Sequence, residues 1–85
     1  MKIKILYFAG LREQLGSPGE DLDAAPAVTT VAGLRTVLMG RGGVWKTALA
    51  QGRALRVAVN QEMAQPATPI KPGDEVAFFP PVTGG

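Results

Sequence analysis

The sequence predicts a single α+β domain, in which a mixed sheet carries its main helix on one face. Apolar and polar residues alternate over residues 2–8 and 55–59, as they do in half-buried strands. Between these segments, apolar residues recur at helical spacing over residues 31–38. A third strand-like segment, residues 75–79, follows a turn sequence. The 85 residues leave room for one such domain and no second one.

The first half of the chain begins with a predicted strand over residues 2–8, which places Ile3, Ile5 and Tyr7 on one face. A short helix is predicted over residues 9–15, ended by Gly16 in the left-handed conformation. We expect an edge strand within residues 20–28, since the missing N–H of Pro26 is tolerated at a sheet edge.

The main helix is predicted to begin after Thr29 or Thr30, either of which suits an N-cap, and to run to about residue 39. Gly33 weakens this helix by about 1 kcal/mol relative to alanine. Its spacing predicts a buried face made of Val31, Leu34, Val37 and Leu38. Glycines 40, 42 and 43 are expected to end it, and residues 45–50 to add a helical turn with Trp45 as a core anchor.

Three further strands are predicted in the second half. The first covers residues 55–59, and a turn at Asn60 and Gln61 leads into a short strand around Met63. Prolines punctuate the loop that follows. The turn sequence Pro72-Gly73-Asp74 then precedes the final strand, residues 75–79.

The composition excludes several kinds of active site. The chain has no Cys and no His, so disulfides, thiolate nucleophiles, iron–sulfur clusters and Cys/His zinc sites are ruled out. Ser17 is the sole serine, and the seven carboxylates are scattered. A self-sufficient enzyme is therefore not expected, nor is a metal site or a permanently bound cofactor.

The nine Lys and Arg residues are scattered too, without the basic stripe that a nucleic-acid groove requires. No apolar run approaches the length of about 18 residues that spans a bilayer, and no secretory signal is evident. We expect a cytoplasmic protein that binds neither nucleic acid nor membrane.

The end of the sequence is the most informative segment. Pro80 and Pro81 stop the last predicted strand and hold the chain extended, and Val82 and Thr83 lead to Gly84 and Gly85. Six residues beyond Phe79 reach at most about 20 Å. Such a slender end suits entry into a narrow pocket of another protein. We therefore expect a folded domain over residues 1–79 and a flexible tail over residues 80–85.

The carboxylate of Gly85, with a pKa near ~3.5, is ionised at neutral pH and inert towards nucleophiles. It must be activated before it can react, most simply by attack on the α-phosphate of ATP to form an acyl-adenylate. A sulfur nucleophile can then displace AMP. The working group predicted by the sequence is thus the terminal carboxylate.

The segment from Gly73 to Gly85 (GDEVAFFPPVTGG) resembles the C-terminal signature of the molybdopterin synthase small subunit family. The segments YFAGLRE, residues 7–13, and AVNQ, residues 58–61, are similar to motifs of the same family, as is TVAGLR, residues 30–35. The resemblance implies a β-grasp, ubiquitin-like fold. It also implies that an ATP-dependent enzyme adenylates Gly85 and that a sulfur donor converts it to a thiocarboxylate.

Two such subunits would flank a dimer of the large subunit and insert their tails into its active sites. Each thiocarboxylate would give its sulfur to a cyclic pyranopterin monophosphate, and the catalytic side chains would belong to the large subunit. Gly84 and Gly85 are the reacting end in this interpretation.

Strand alternation also predicts a partner-binding face. With the Ile3 face covered by a helix, Phe8 lies on the open side, and in the last strand Ala77 and Phe79 point the same way. Phe8 and Phe79 are therefore predicted to form an apolar patch beside the tail, extended by Met63 and with Arg12 at its rim. The alternative is that either aromatic side chain belongs to the core.

Other functions remain open at this point. A sulfur carrier of thiamin thiazole synthesis would share the fold and the tail, and a tungsten-cofactor relative would look the same in sequence. A ubiquitin-like modifier joined to lysines by an isopeptide bond would reveal itself by covalent conjugates. A plain interaction module with an idle tail would bind partners even with its terminus blocked.

Overall fold

A computed structural model describes residues 1–50 and 54–81 of the protein. Within them, strands and helices are interspersed up to residue 48, and the elements after residue 54 are strands. In chain order the elements are β1 (Lys2–Tyr7), α1 (Ala9–Leu15), β2 (Gly19–Asp23), α2 (Val31–Met39), α3 (Gly43–Ala48), β3 (Arg56–Val59), β4 (Glu62–Met63) and β5 (Glu75–Phe79).

The described strands form one mixed sheet in the order β2-β1-β5-β3-β4. β1 and β5 lie side by side and parallel at its centre, whereas the other neighbouring pairs are antiparallel. The first and last strands are thus neighbours, although most of the chain separates them. The predicted mixed sheet and the α+β class are confirmed.

The core lies between one face of this sheet and the helices. Ile3, Ile5 and Tyr7 are buried there, as their alternation predicted, and Val76 and Phe78 of β5 are buried beside them. All three helices contribute to the same cluster through a set of buried apolar residues: Leu11, Val31, Leu34, Leu38 and Ala48. The opposite face of the sheet carries no helix from this cluster, and we call it the open face.

Two helix ends follow the local chemistry of the sequence. Gly16 ends α1 with φ of 69° and ψ of 25°, the left-handed conformation that glycine adopts without steric cost. Of the two candidate N-caps, Thr30 is the one used: its hydroxyl accepts a 3.1 Å hydrogen bond from the backbone N–H of Gly33. Both ends lie where the sequence predicted them.

Several predicted boundaries were wrong. β1 ends at Tyr7 because Phe8, although extended, is already the N-cap of α1. The edge strand is Gly19–Asp23 rather than residues 20–28. Pro26 lies in a turn, where the Val28 N–H donates to the Ala25 carbonyl and the fixed φ of proline suits the turn. β3 starts at Arg56, one residue later than predicted.

The prediction that Val37 faces the core was also wrong, since this residue is 43% exposed. Val31, Leu34 and Leu38 already fill the narrow stripe of α2 that meets the sheet. The next helix begins at Gly43 and ends at Ala48, earlier than the predicted 45–50, because Gly42 and Gly43 have positive φ and reverse the chain just before it. Trp45 is half-buried and packs against the core.

Candidate functional site

The pairing register defines which residues share the open face. Leu6 of β1 lies opposite Ala77 of β5, Ala77 lies opposite Ala58 of β3, and Ala58 lies opposite Met63 of β4. Because directly paired residues point to the same side of a sheet, these four side chains form an apolar row across it. Phe79, two residues beyond Ala77, is on the same face.

Phe8 continues this surface at the end of β1. Its backbone is extended, with φ of −118° and ψ of 158°, and its N–H donates to the Phe78 carbonyl at 3.2 Å. One further step of the parallel register therefore sets Phe8 opposite Phe79. Phe8 is 45% exposed and Phe79 half-buried, so neither is a core side chain. We call the apolar patch the set Leu6, Phe8, Ala58, Met63, Ala77 and Phe79.

Ala77 differs in one respect from the expectation that it is exposed. It faces outward and is absent from the core cluster, yet only 8% of its surface is accessible. β5 is flanked on both sides by other strands, and the larger side chains of Leu6 on β1 and Phe79 on β5 itself lie beside the Ala77 methyl group. The patch is therefore an apolar surface with a flat centre rather than a set of separate side chains.

Met63 is 61% exposed at the far end of the row, on the edge strand β4. Arg12 is exposed on α1, one helical turn after Phe8, where its N–H donates to the Phe8 carbonyl. Pro80 and Pro81 follow β5 directly and are half-buried. The structure thus brings Met63 into the same row as the patch, whereas Arg12 stays on the adjoining helix.

The predicted reacting end, Gly84 and Gly85, and the preceding Val82 and Thr83 lie outside the described residues. What the structure does define is the point from which this segment departs. β5 is central in the sheet and is paired on both sides, with β1 and with β3. The root of the tail is therefore held by two ladders of hydrogen bonds, next to the apolar patch.

Sequence reasoning missed two residues of the open face, Ala58 and Arg56. The register places Arg56 directly opposite Phe79, so its exposed side chain borders the patch beside the tail root. The alternation of residues 55–59 carries the signal, since Arg56 and Ala58 fall on the face opposite Leu55, Val57 and Val59.

The described residues offer no catalytic constellation on the other side of the sheet. A groove of about 320 Å³ lies between α2 and the β3–β4 hairpin. Two arginines line it, Arg35 and Arg56, and the Arg35 guanidinium donates hydrogen bonds of 2.7 and 2.6 Å to the carbonyls of Leu49 and Ala50, beyond the end of α3. Among residues 1–50 and 54–81, no group of His, Cys, Asp or Glu side chains could hold a metal ion.

One polar cluster is found at the edge of the core. The Glu20 carboxylate accepts two hydrogen bonds from the Arg41 guanidinium, 2.6 and 2.8 Å long, and a third from the Tyr7 hydroxyl. The Arg41 hydrogen bonds hold the pKa of Glu20 below its ordinary value, and burial raises the pKa of the Tyr7 hydroxyl. This cluster is fully satisfied and joins β1, β2 and the α2–α3 connection, so its role is structural.

Asn60 has a structural role as well, as expected for a turn residue. Its side-chain oxygen accepts a hydrogen bond from the Glu75 N–H at 3.0 Å, and its amide donates to the Asp74 carboxylate at 2.9 Å. This hydrogen bond contributes most to the lowered pKa of Asp74. The β3–β4 turn is thereby tied to the start of β5.

The described part of the chain has no helix long and apolar enough to cross a membrane. Taken together, the strand order, the helix packed on one face and the paired first and last strands define a β-grasp, ubiquitin-like domain. The chain belongs to the ThiS family, whose sequence profile matches residues 5–85.

Similar proteins of known name agree with this family. Over 83 residues the chain is 43% identical to the molybdopterin synthase sulfur carrier subunit of Escherichia coli, covering 98% of this chain and 99% of that protein. It is 41% identical to the subunit of the same name from Haemophilus influenzae, with the same coverage. The resemblance predicted from the sequence motifs is confirmed across the whole chain.

Solved structures confirm the fold. SAMP1 from Haloferax volcanii aligns with a TM-score of 0.76 at 29% identity and full coverage of both chains. A putative molybdopterin converting factor subunit 1 from Pyrococcus furiosus aligns with a TM-score of 0.79 at 25% identity, covering 96% of this chain and 99% of that one. Caldiarchaeum subterraneum ubiquitin, at 22% identity, shares the fold with a TM-score of 0.55 and coverage of 100% and 98%.

Proposed function

We propose that this protein is the sulfur carrier subunit of a molybdopterin synthase, with no catalytic residues of its own. In this proposal residues 1–79 are the folded carrier and residues 80–85 are the tail that bears sulfur at Gly85. The tail enters the active site of a large subunit, which supplies the catalytic side chains. A cytoplasmic location belongs to the same proposal.

The observation that carries this proposal is the geometry at the end of β5. The central strand leads directly into Pro80 and Pro81, and Phe8 and Phe79 lie beside that point on a face of the sheet that none of the described helices covers. A partner that encloses the tail has to contact this apolar patch, which is the composition expected at the centre of an interface. The similarity to named sulfur carrier subunits supports the same assignment.

The chemistry follows from the terminal carboxylate. One of its oxygens attacks the α-phosphorus of ATP on a separate adenylating enzyme, pyrophosphate leaves, and a glycyl-adenylate forms. A sulfide-level sulfur nucleophile then attacks the carbonyl carbon, and AMP departs with one of the original carboxylate oxygens, which leaves a thiocarboxylate. A persulfide donor gives an acyl disulfide instead, and a second thiol then reduces its S–S bond to release the thiocarboxylate. The thiocarboxylate passes its sulfur to cyclic pyranopterin monophosphate, and water restores the carboxylate.

Two small and two large subunits form the assembly in this proposal, and neither a metal nor an organic cofactor is held permanently by the small subunit. ATP is consumed by the adenylating enzyme. The absence of His and Cys from the sequence is consistent with a chain that brings a reactive end but no acid–base or thiol chemistry of its own.

Intact-protein mass spectrometry tests the proposal. Incubation with the adenylating enzyme, ATP and a sulfur source should add the mass difference between sulfur and oxygen, and fragmentation should locate it at Gly85. Two matched controls are a chain lacking Gly85 and a chain with one residue added after it, both of which should fold and stay unmodified. Unmodified wild-type protein under these conditions would contradict the proposal.

A second candidate, a protein modifier, is favoured by the 29% identity to SAMP1, which belongs to the small archaeal modifier proteins. In that case Gly85 would form an isopeptide bond with lysines of other proteins. Immunoblotting of cells that express a tagged chain separates the two functions: covalent conjugates that vanish on deletion of Gly85 would favour the modifier.

A further inference from the structure

Arg56 differs from the other charged residues of the open face in having no opposite charge across from it. Lys4 lies opposite Asp21 on one side and Glu75 on the other, and Lys2 lies opposite Asp23. Oppositely charged residues that face each other across strands stabilise a sheet. The charged half of the open face is therefore balanced within the protein itself.

The cross-strand and same-face neighbours of Arg56 are apolar instead, while Arg35 and Gln65 line the adjoining groove with it. Phe79 lies opposite it on β5, and Ala58 follows it on the same face of β3. β4 pairs with β3 only at Ala58 and Val59, so no β4 residue faces Arg56 from the other side. Its side chain is exposed, and no described residue forms an ion pair or hydrogen bond with it.

Resting on the proposed function, we infer that Arg56 pairs with an acidic side chain of the large subunit. The large subunit is then expected to carry a negative charge beside the tail. A partner that encloses the tail root must cover Phe79, and Arg56 is the charged residue directly opposite it. Covering a guanidinium without a counter-charge is costly, because it loses its water and gains nothing in return.

The chemistry of the guanidinium narrows the partner group further. Its planar fork of N–H donors matches the two oxygens of a carboxylate, so an Asp or Glu side chain is the complementary group. Phe79 and Ala58 beside Arg56 would shield such a pair from water on one side once the large subunit covers it. The large subunit is thus expected to present a carboxylate framed by apolar residues.

The test is the affinity of the purified large subunit for variants of the full chain at about 50 mM and about 500 mM NaCl. Arg56→Leu should bind about 10-fold more weakly than the wild type and lose most of the salt dependence. Arg56→Glu should bind at least about 100-fold more weakly, whereas Arg56→Lys should retain the salt dependence and part of the affinity.

Lys46→Leu is the matched control, because it removes one positive charge from an exposed position on α3, in the layer on the opposite side of the sheet. It should bind like the wild type. If Arg56→Leu also binds within about twofold of the wild type with the same salt dependence, the inference is overturned.

Thiocarboxylate formation, followed by mass in parallel, separates this inference from the function on which it rests. A wild-type chain that neither loads sulfur nor binds the large subunit overturns both. A chain that loads and binds normally whatever residue stands at position 56 overturns only the inference. Loss of loading by Arg56→Leu, with unchanged affinity for the large subunit, would assign the acidic group to the adenylating enzyme and overturn the inference as stated.

Discussion

The hydroxyl of buried Tyr7 donates a 3.0 Å hydrogen bond to the carboxylate of Glu20. The same carboxylate accepts two hydrogen bonds from the Arg41 guanidinium. This guanidinium lies 4.5 Å from the centroid of the Trp45 ring. The Trp45 ring in turn packs edge-on against Tyr7, with centroids 5.5 Å apart. Four side chains from separate parts of the chain thus close one loop of contacts.

The first prediction concerns the pH dependence of this cluster. Glu20 has a folded-state pKa below its ordinary value of 4.5, and the unfolded chain titrates near that value. Its contribution to stability is therefore fully present above about pH 5 and is lost as the pH falls through the folded-state pKa. Glu20→Gln should lower the free energy of unfolding by about 1 kcal/mol at neutral pH.

Urea unfolding of both proteins at pH 7 and at pH 3 measures this difference. The gap between wild type and Glu20→Gln should narrow in acid, because the wild-type carboxyl is then losing its charge. An equal gap at the two pH values would mean that the charge of Glu20 contributes nothing.

The second prediction uses two glycines with opposite surroundings. A Cβ at Gly19 would lie 2.4 Å from the backbone carbonyl oxygen of Ile5, and neither strand can yield easily. Gly19→Ala should destabilise the fold by about 2 kcal/mol. At Gly10, in α1, a Cβ meets nothing within 4 Å, so Gly10→Ala should stabilise by about 0.5 kcal/mol. Thermal unfolding of the two variants measures whether Gly19→Ala lowers the stability and Gly10→Ala raises it. Similar effects in the two variants would contradict the packing argument.

The third prediction concerns the β3–β4 turn. Asn60 and Gln61 both have positive φ, 52° and 68°, in a two-residue loop between the paired residues Val59 and Glu62. Asn adopts this conformation at low cost, whereas Gln does so at a higher one. Gln61→Gly should therefore raise the free energy of unfolding by about 0.5–1 kcal/mol. Gln61→Ala is the control, since it keeps the Cβ and should bring no such gain.

The fourth prediction contrasts two consecutive phenylalanines of β5. Phe78 is 1% exposed in the core, so Phe78→Ala should cost about 3–5 kcal/mol of folding stability. Phe79→Asp should leave the fold intact and weaken the complex with the large subunit at least about 10-fold. Circular dichroism and a binding assay on the same samples separate the two effects. Unfolding of Phe79→Asp would place Phe79 in the core.

Strong periodic patterns in the sequence were sufficient to predict most of the fold. The alternation of residues 2–8 correctly chose Ile3, Ile5 and Tyr7 as buried, and the turn at Pro72 correctly preceded β5 at Glu75. Phe8 and Phe79 were correctly placed on the open face, although their role in binding a partner is still a prediction.

Where local sequence patterns were weak, tertiary contacts determined the boundaries of the elements and which residues are buried. Residues 20–28 show no clear alternation of apolar and polar residues, so the sequence does not reveal where strand pairing stops; the turn around Pro26 ends it at Asp23. The helical spacing that included Val37 could not show how narrow the buried stripe of α2 is. Nor could local patterns reveal Arg56 beside Phe79, because the register of two strands twenty residues apart is set by the whole sheet.

The central position of β5 also governs when the chain can fold during synthesis. Until residues 75–79 have emerged from the ribosome, β1 and β3 have no common neighbour, so the sheet cannot be completed. Contacts between segments so distant in sequence form slowly. The finished domain therefore assembles in a late, concerted step, and the strand that completes it is the one from which the tail emerges.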